Sequence, residues 1–82
     1  MVEITRNELE AMRARCTAAT PAPWQAFVEG RDHTSGSSFI RTGGKDIELF
    51  GATEEDHDFI AHARQDLPRL IEEVMRLRRW KP

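Results

Sequence analysis

Three side chains in this sequence could together hold an anionic ligand: Trp24, Arg41 and Arg64. A tryptophan ring offers a flat surface on which a planar group can stack, and each guanidinium presents a fork of donors that matches phosphate or carboxylate. Each type also has an ordinary structural use, because tryptophans fill cores and Arg64 could pair with a nearby acid such as Asp66. We therefore predict ligand binding by these three residues, with structural roles for Trp24 and Arg64 as the alternative.

No combination of residues predicts catalysis or a metal site. His57 and His62 are five positions apart on a predicted helix, so they lie on different faces, unlike the i, i+4 pair of a helical zinc site. Asp58 and His62 do share a face, but two ligands without a third do not make a site. Cys16 falls on an apolar helix stripe with no base beside it, so we expect a buried hydrophobe. The sequence predicts a protein that is not an enzyme and needs no cofactor.

The polar segment 30–38 contains two glycines, an arginine and several hydroxyl side chains, a composition also found in phosphate-binding loops. It lacks the G-x-x-x-x-G-K-[ST] pattern and does not open a helix. We predict a flexible loop.

Length and composition describe a small protein with a modest core. The chain has 82 residues, and we expect one domain over residues 1–82. A domain of this size buries only about 60% of its unfolded surface, so self-association is the expected source of added stability.

The net charge of −2 disfavours a nucleic-acid partner. The single cysteine and the lack of a long apolar run predict a soluble, cytoplasmic protein without a membrane span.

The first predicted helix covers residues 5–19. Thr5 and Glu8 form a capping-box pattern, with Ile4 placed to pack on the first turns. An apolar stripe follows at spacings of three and four, made by Leu9, Met12, Cys16 and Ala19. Pro21 disfavours helical geometry at the residue before it, so the helix should end near Ala19.

A small antiparallel sheet is predicted within residues 24–50. Its three short strands would be residues 24–29, 39–42 and 45–50, the last two joined by a two-residue turn at Gly43 and Gly44. Such a turn needs positive φ at both positions, which glycine supplies. The resulting register would place Ile40 opposite Ile47, and Arg41 opposite Asp46 as a pair of opposite charges.

A long helix is predicted over residues 54–80. Thr53 would cap it, with acids in the first turn and bases in the last. Apolar residues then follow a heptad spacing: Ile60, Ala63, Leu67, Leu70, Val74 and Leu77. Phe59 and Ile71 should widen this seam to pack on the sheet and the first helix. Pro68 normally kinks a helix, so we predict one bent helix, with a break after Asp66 as the alternative.

This helix is much longer than the first helix that would cover it. Apolar side chains beyond the overlap would be exposed to water in a monomer. We therefore predict that they contact a second copy of the chain, and these interface residues are Leu70, Val74, Leu77 and Trp80.

Two motifs resemble a known group of proteins. The patterns R-x-R-x-x-A-A-T-P-x-P-W, from Arg13 to Trp24, and F-I-A-x-A-R-x-D-x-P, from Phe59 to Pro68, look like those of small phage and prophage accessory proteins called Ead/Ea22-like. The chain departs from them at Ala22, where glycine is usual, and at His62, where a small residue is usual. The resemblance implies an accessory protein that inhibits or sequesters something of the host cell, and it supplies no catalytic residues.

The sequence thus predicts an α+β protein of order α-β-β-β-α and leaves two functions open. One is an oligomer that binds and sequesters a small anionic, nucleotide-type signal of the host. The other is a protein-interaction module that inhibits or adapts a host protein through its long helix. A basic, partly buried pocket at a subunit boundary would favour the first, and a flat apolar surface without a pocket the second.

Overall fold

The computed structural model describes residues 3–78. Its elements are, in order, a helix α1 (Arg6–Ala18), two strands β1 (Gln25–Phe27) and β2 (Phe39–Arg41), and a long helix α2 (Glu54–Arg78). The α+β class, the order of these elements and the long final helix confirm the prediction from the sequence. The predicted end of α2 near residue 80 lies outside the described residues.

Local side-chain caps fix the start of both helices. The Glu8 amide donates to the Thr5 hydroxyl at 3.1 Å, and the Thr5 amide donates to the Glu8 carboxylate at 2.9 Å. Thr53 and Asp56 repeat this arrangement at α2, with both hydrogen bonds at 3.0 Å. Both caps satisfy amides that have no partner within the helix, so each helix begins where its sequence predicts.

The core lies between the sheet and α2. Strands β1 and β2 are antiparallel, with Ala26 opposite Ile40, and this pair faces Ala61 of α2. Ile40 is completely buried. Val28 extends the same cluster just beyond β1.

The third predicted strand does not form within residues 3–78. Residues 45–50 pair with β2 only through a single antiparallel bridge between Ile40 and Ile47. The opposition of these two isoleucines is therefore confirmed, but the sheet has two strands. The predicted ion pair between Arg41 and Asp46 is absent from the ion pairs that the described residues form.

Gly43 and Gly44 are not the positive-φ turn that the sequence predicts. The positive-φ glycines are Gly30, Gly36 and Gly51. Gly43 is instead a point of close approach, where its amide donates to the Pro21 carbonyl at 2.9 Å. A Cβ atom on Gly43 would lie 2.7 Å from that oxygen, closer than any real Cβ contact. Glycine is needed here because another part of the backbone occupies the space of a side chain.

Helix α2 continues through Pro68 without a break, so the single-helix prediction is confirmed and the break after Asp66 does not occur. Its most buried residues are His57, Ala61 and Ile71, which share a face next to the predicted heptad seam. Ile71 packs as expected, whereas Phe59 is 74% exposed and the prediction that it packs on the sheet is wrong.

Two arginine clusters hold the elements together. Arg13 of α1 donates to both carboxylate oxygens of Glu72 in α2, at 2.6 and 2.7 Å from one terminal nitrogen. In the loop after β1, Arg31 donates to both oxygens of Asp58 at 2.8 and 3.0 Å and also contacts Asp32. Asp32 in turn accepts from the Val28 amide at 2.8 Å. The loop predicted to be flexible is thus anchored at its start to the first turns of α2.

We expect an Arg31→Gln variant to be less stable than the parent protein at neutral pH and to lose that deficit in acid. Hydrogen bonds from Arg31 hold the pKa of Asp58 and of Asp32 below the ordinary aspartate range. These carboxylates therefore stabilise the fold above their unfolded-state pKa of about 3.9, and the contribution is lost as pH falls through the lower folded-state values. Thermal unfolding across this range checks the prediction, and a difference in Tm that does not change with pH would contradict it.

Candidate functional site

A groove between α1, α2 and the segment before β1 is the candidate ligand site. Its cavity volume is about 270 Å³. Its apolar wall is formed by Met12, Cys16, Ala19, Ile60, Ala63 and Leu67. Trp24 adds an aromatic side, and Arg15 and Arg64 are the charged residues of the lining. Among residues 3–78, no acidic side chain lines this groove, so the local potential of the described residues favours an anion.

Trp24 and Arg64 are brought together by one backbone carbonyl. The Trp24 indole Nε1 donates to the Thr20 oxygen at 3.0 Å, and the Arg64 Nε donates to the same oxygen at 3.0 Å. Thr20 and Trp24 belong to the first sequence motif and Arg64 belongs to the second. The two motifs therefore meet in space and form one side of the groove.

Gln65 fixes the position of Trp24 from the other side. Its Oε1 accepts from the Trp24 amide at 2.7 Å, and its Nε2 donates to the Trp24 carbonyl at 3.1 Å. The same Nε2 also lies 3.0 Å from the Ala61 carbonyl of α2. The side-chain amide thus replaces the partners that a neighbouring strand would give to Trp24, and it holds this residue against α2. Sequence reasoning missed this contact because a single glutamine carries no pattern.

Arg64 has both a structural contact and free donors. The alternative in which it pairs with Asp66 is wrong, because the Arg64 guanidinium donates through Nε to a backbone carbonyl. Asp66 lines a different surface of α2, beside Arg69 and Leu70. The two terminal nitrogens of Arg64 form no hydrogen bond with any described residue, and they are the donors available to a ligand in the groove.

Arg15 is a second cation of the groove that sequence reasoning did not select as a site residue. Its side chain is exposed and has no ion pair or hydrogen bond within residues 3–78. The signal for it was present, because Arg15 belongs to the R-x-R part of the first motif and lies one helical turn before Ala19. Cys16, predicted to be buried, is only partly buried and lines the same groove.

Arg41 lies away from this groove. It is next to Ile40 on β2, and because strand side chains alternate, it projects from the opposite face of the sheet. There its guanidinium carbon lies 4.6 Å from the centre of the Phe27 ring, and Phe27 stacks on Phe39 at 5.3 Å. Arg41 is thus in a cation–π contact on the outer sheet face, and the structure does not place it with Trp24 and Arg64.

The predicted interface residues Leu70, Val74 and Leu77 lie within the described range, and together with Leu67, which was not predicted as an interface residue, they form one row on α2. This leucine strip consists of Leu67, Leu70, Val74 and Leu77. Leu70 and Leu77 are 61% and 64% exposed, and Val74 is partly buried. Leu67 belongs to both the strip and the groove. Trp80, the fourth interface residue predicted, lies outside the described residues.

The histidines of α2 contact backbone carbonyls. The Nδ1 atom of His57 lies 2.7 Å from the Thr53 oxygen, and that of His62 lies 2.9 Å from the Asp58 oxygen. The Asp58 carboxylate pairs with Arg31 rather than with His62. In the part of the chain that the structure describes, no three His, Cys, Asp or Glu side chains come together as metal ligands would.

Comparison of this chain with protein-family models, with curated proteins and with solved structures gave no match. Within residues 3–78, no helix combines the length and the apolar composition that crossing a membrane requires.

Proposed function

We propose that this protein is a non-catalytic binding protein that holds a small anionic, nucleotide-type ligand in the groove between α1 and α2. The planar part of the ligand packs on Trp24 and the apolar wall, and its phosphate is held by Arg15 and Arg64. One observation carries the proposal: Arg15 and Arg64, which have no acidic partner within residues 3–78, both line a groove that is otherwise apolar and has Trp24 on one side.

Charge and size restrict the ligand. Charge-assisted hydrogen bonds from a guanidinium to phosphate are stronger than neutral ones, and two such groups hold one anion from two directions. Ligand pockets commonly measure about 300–1,000 Å³, so a cavity of about 270 Å³ lies just below this range and suits a small ligand, or the planar part of a nucleotide with the remainder outside the groove. Arg41 has no part in this binding mode, because it lies on the outer face of the sheet.

The biological role follows from the resemblance of the two motifs to small phage accessory proteins. Both motifs contribute residues to the groove, since Arg15 and Trp24 come from the first and Arg64 from the second. We propose that the protein acts in the cytoplasm of the host cell, where it sequesters a nucleotide-type signal without converting it.

We expect an Arg15→Gln variant to unfold at the same temperature as the parent protein without ligand, and to lose the stabilisation that a ligand gives the parent. The Arg15 side chain has no partner among the described residues, so its removal costs the fold little. A ligand at 100 times its Kd stabilises a protein by about 2.7 kcal/mol, which a thermal-shift assay detects. The assay uses mono-, di- and cyclic nucleotides as probes.

Lys45→Gln is the matched control, because it also removes one exposed positive charge but lies outside the groove. Its shift with each nucleotide should equal that of the parent protein. Cys16 gives an independent readout, since a bound ligand should slow its reaction with a thiol reagent. The ligand proposal is wrong if no nucleotide changes either the Tm of the parent protein or the reaction rate of Cys16.

The second function predicted from the sequence, a protein-interaction module, has one observation in its favour. The leucine strip presents apolar side chains on α2, of which Leu70 and Leu77 are 61% and 64% exposed. This function forecasts a different result. Charged substitutions in the strip should abolish the effect of the protein on its host-protein partner, while Arg15→Gln should leave that effect intact. The ligand-binding function forecasts the reverse.

A further inference from the structure

We propose that the leucine strip of α2 is a docking surface for a second copy of this chain, with the two α2 helices packed antiparallel. This surface is separate from the guanidinium groups of the groove, so the inference does not rest on the proposed ligand.

The strip is one continuous row in which the three leucines are exposed and Val74 is partly buried. Leu67, Leu70, Val74 and Leu77 follow spacings of three, four and three, which place all four on one face of a helix. Single exposed leucines are common on protein surfaces and need no explanation. A row with the heptad spacing is different, because it presents the complementary surface that a second helix with the same spacing packs against.

The charges beside the strip indicate which partner fits. Read from the N-terminus, they are Asp66, Arg69, Glu73 and Arg76, which alternate in sign. Read in the opposite direction, the order is positive, negative, positive, negative. A second α2 helix running antiparallel places this flank against the same flank of its partner and therefore presents a base to each acid, whereas a parallel copy turns this flank toward the partner's other flank, where the alternating charges have no match. In an antiparallel second copy, each of these four charged side chains therefore faces a side chain of opposite charge.

Approximate pairings follow from this symmetry. With a two-fold axis near residue 71, Arg69 lies opposite Glu73 of the partner subunit, and Asp66 lies opposite Arg76 of the partner subunit. Asp66 and Arg69 have no ion pair within residues 3–78, although Arg76 already contacts Glu73 along the helix at 3.2 Å. The paired segment, residues 66–77, is about 17 Å long at about 1.5 Å per residue. An interface of this length is small, so we expect a dimer that dissociates in the micromolar range.

Sedimentation velocity over a micromolar concentration series tests the proposal. The parent protein should sediment as a monomer at the lowest concentration and as a dimer at the highest. Leu70→Glu should stay monomeric throughout, because it places a charge in the centre of the strip. Phe50→Glu is the control, since it also replaces an exposed apolar side chain by glutamate but lies off the strip. A parent protein that stays monomeric at every concentration would overturn the proposed homodimer. A host protein would then be the remaining candidate to bind the strip.

Charge reversal tests the orientation. Arg69→Glu and Glu73→Arg each place like charges opposite each other in an antiparallel homodimer, so each should weaken self-association at least about tenfold. Lys45→Glu changes the net charge as much as Arg69→Glu does and should leave the dimer unchanged. An equimolar mixture of the two reversal variants should regain dimers, because the heterodimer has only opposite charges facing each other. Circular dichroism shows whether each variant is folded. Homodimers as stable as the parent's, or a mixture that fails to associate, would overturn the antiparallel arrangement.

Discussion

We expect Gly43→Ala to lower the free energy of unfolding by about 3 kcal/mol, a large effect for the addition of one methyl group. The new Cβ would lie 2.7 Å from the Pro21 carbonyl oxygen and 2.9 Å from the Pro21 Cβ. The proline ring restricts how far these atoms can move, so Gly43 has to shift instead. That shift also lengthens the hydrogen bond from its amide to the Pro21 oxygen. Urea unfolding followed by tryptophan fluorescence measures the change.

Gly44→Ala provides the matched control for this prediction. Its Cβ would meet the Thr20 Cγ2 atom at 3.1 Å, a methyl group that can move by rotation of the threonine side chain. We expect a loss below about 1 kcal/mol. If both variants lost the same amount, the cause would be a general need for glycine in the turn, and the close approach of Gly43 to Pro21 would not explain the effect.

The helix starts could be predicted because the interactions that set them are local. Thr5 and Glu8 are three positions apart, as are Thr53 and Asp56. Within each pair, the side chain of each residue accepts a hydrogen bond from the backbone amide of the other, without help from the rest of the chain. A pattern within one helical turn is visible in the sequence, so both starts are correct.

The turn at Gly43 was misread because the reason for the glycine is not local. A pair of glycines between two short apolar segments is typical of a hairpin, and the opposition of Ile40 and Ile47 agrees with that interpretation. The Pro21 carbonyl that occupies the space beside Gly43 comes from the segment after α1. No rule that compares neighbouring residues detects such a contact, and the same limitation explains the predicted third strand.

The buried face of α2 could be predicted only in part. Its heptad spacing is clear, but a seam of large apolar residues can face the core or a partner. The core of this protein contacts the neighbouring face, which carries Ala61 and Ile71, because small side chains let the sheet approach the helix closely. The sequence contains the periodicity, whereas the choice between adjacent faces depends on where α1 and the sheet lie.

The candidate site was predicted by residue type and corrected by geometry. Trp24 and Arg64 share the Thr20 carbonyl, 44 positions from Arg64 in the sequence, and this contact could not be read from either motif alone. Arg41 could have been set aside from the sequence, since alternation along a strand separates it from the buried Ile40. Arg15 belongs to the R-x-R part of the first motif, but only the structure shows that it lines the same groove as Trp24 and Arg64.

The second large effect is expected at Gln65, whose side chain joins the two motifs. Gln65→Ala removes the partners of the Trp24 amide and carbonyl, which are partly buried. Leaving two such groups without partners should cost about 2–4 kcal/mol in the free energy of unfolding. Trp24 should also lose its fixed position in the groove, so the near-ultraviolet circular dichroism of the indole should weaken.

Gln65→Met separates hydrogen bonding from packing, because methionine has nearly the same length and shape as glutamine but cannot donate or accept strongly. We expect Gln65→Met to be nearly as destabilised as Gln65→Ala. The matching change Gln25→Met, at an exposed position of β1, should leave stability within about 0.5 kcal/mol of the parent value. If Gln65→Met kept the stability of the parent protein, the side chain would hold Trp24 by packing alone. Under the proposed function, a groove that depends on these hydrogen bonds predicts instead that the methionine variant loses stabilisation by nucleotides together with stability.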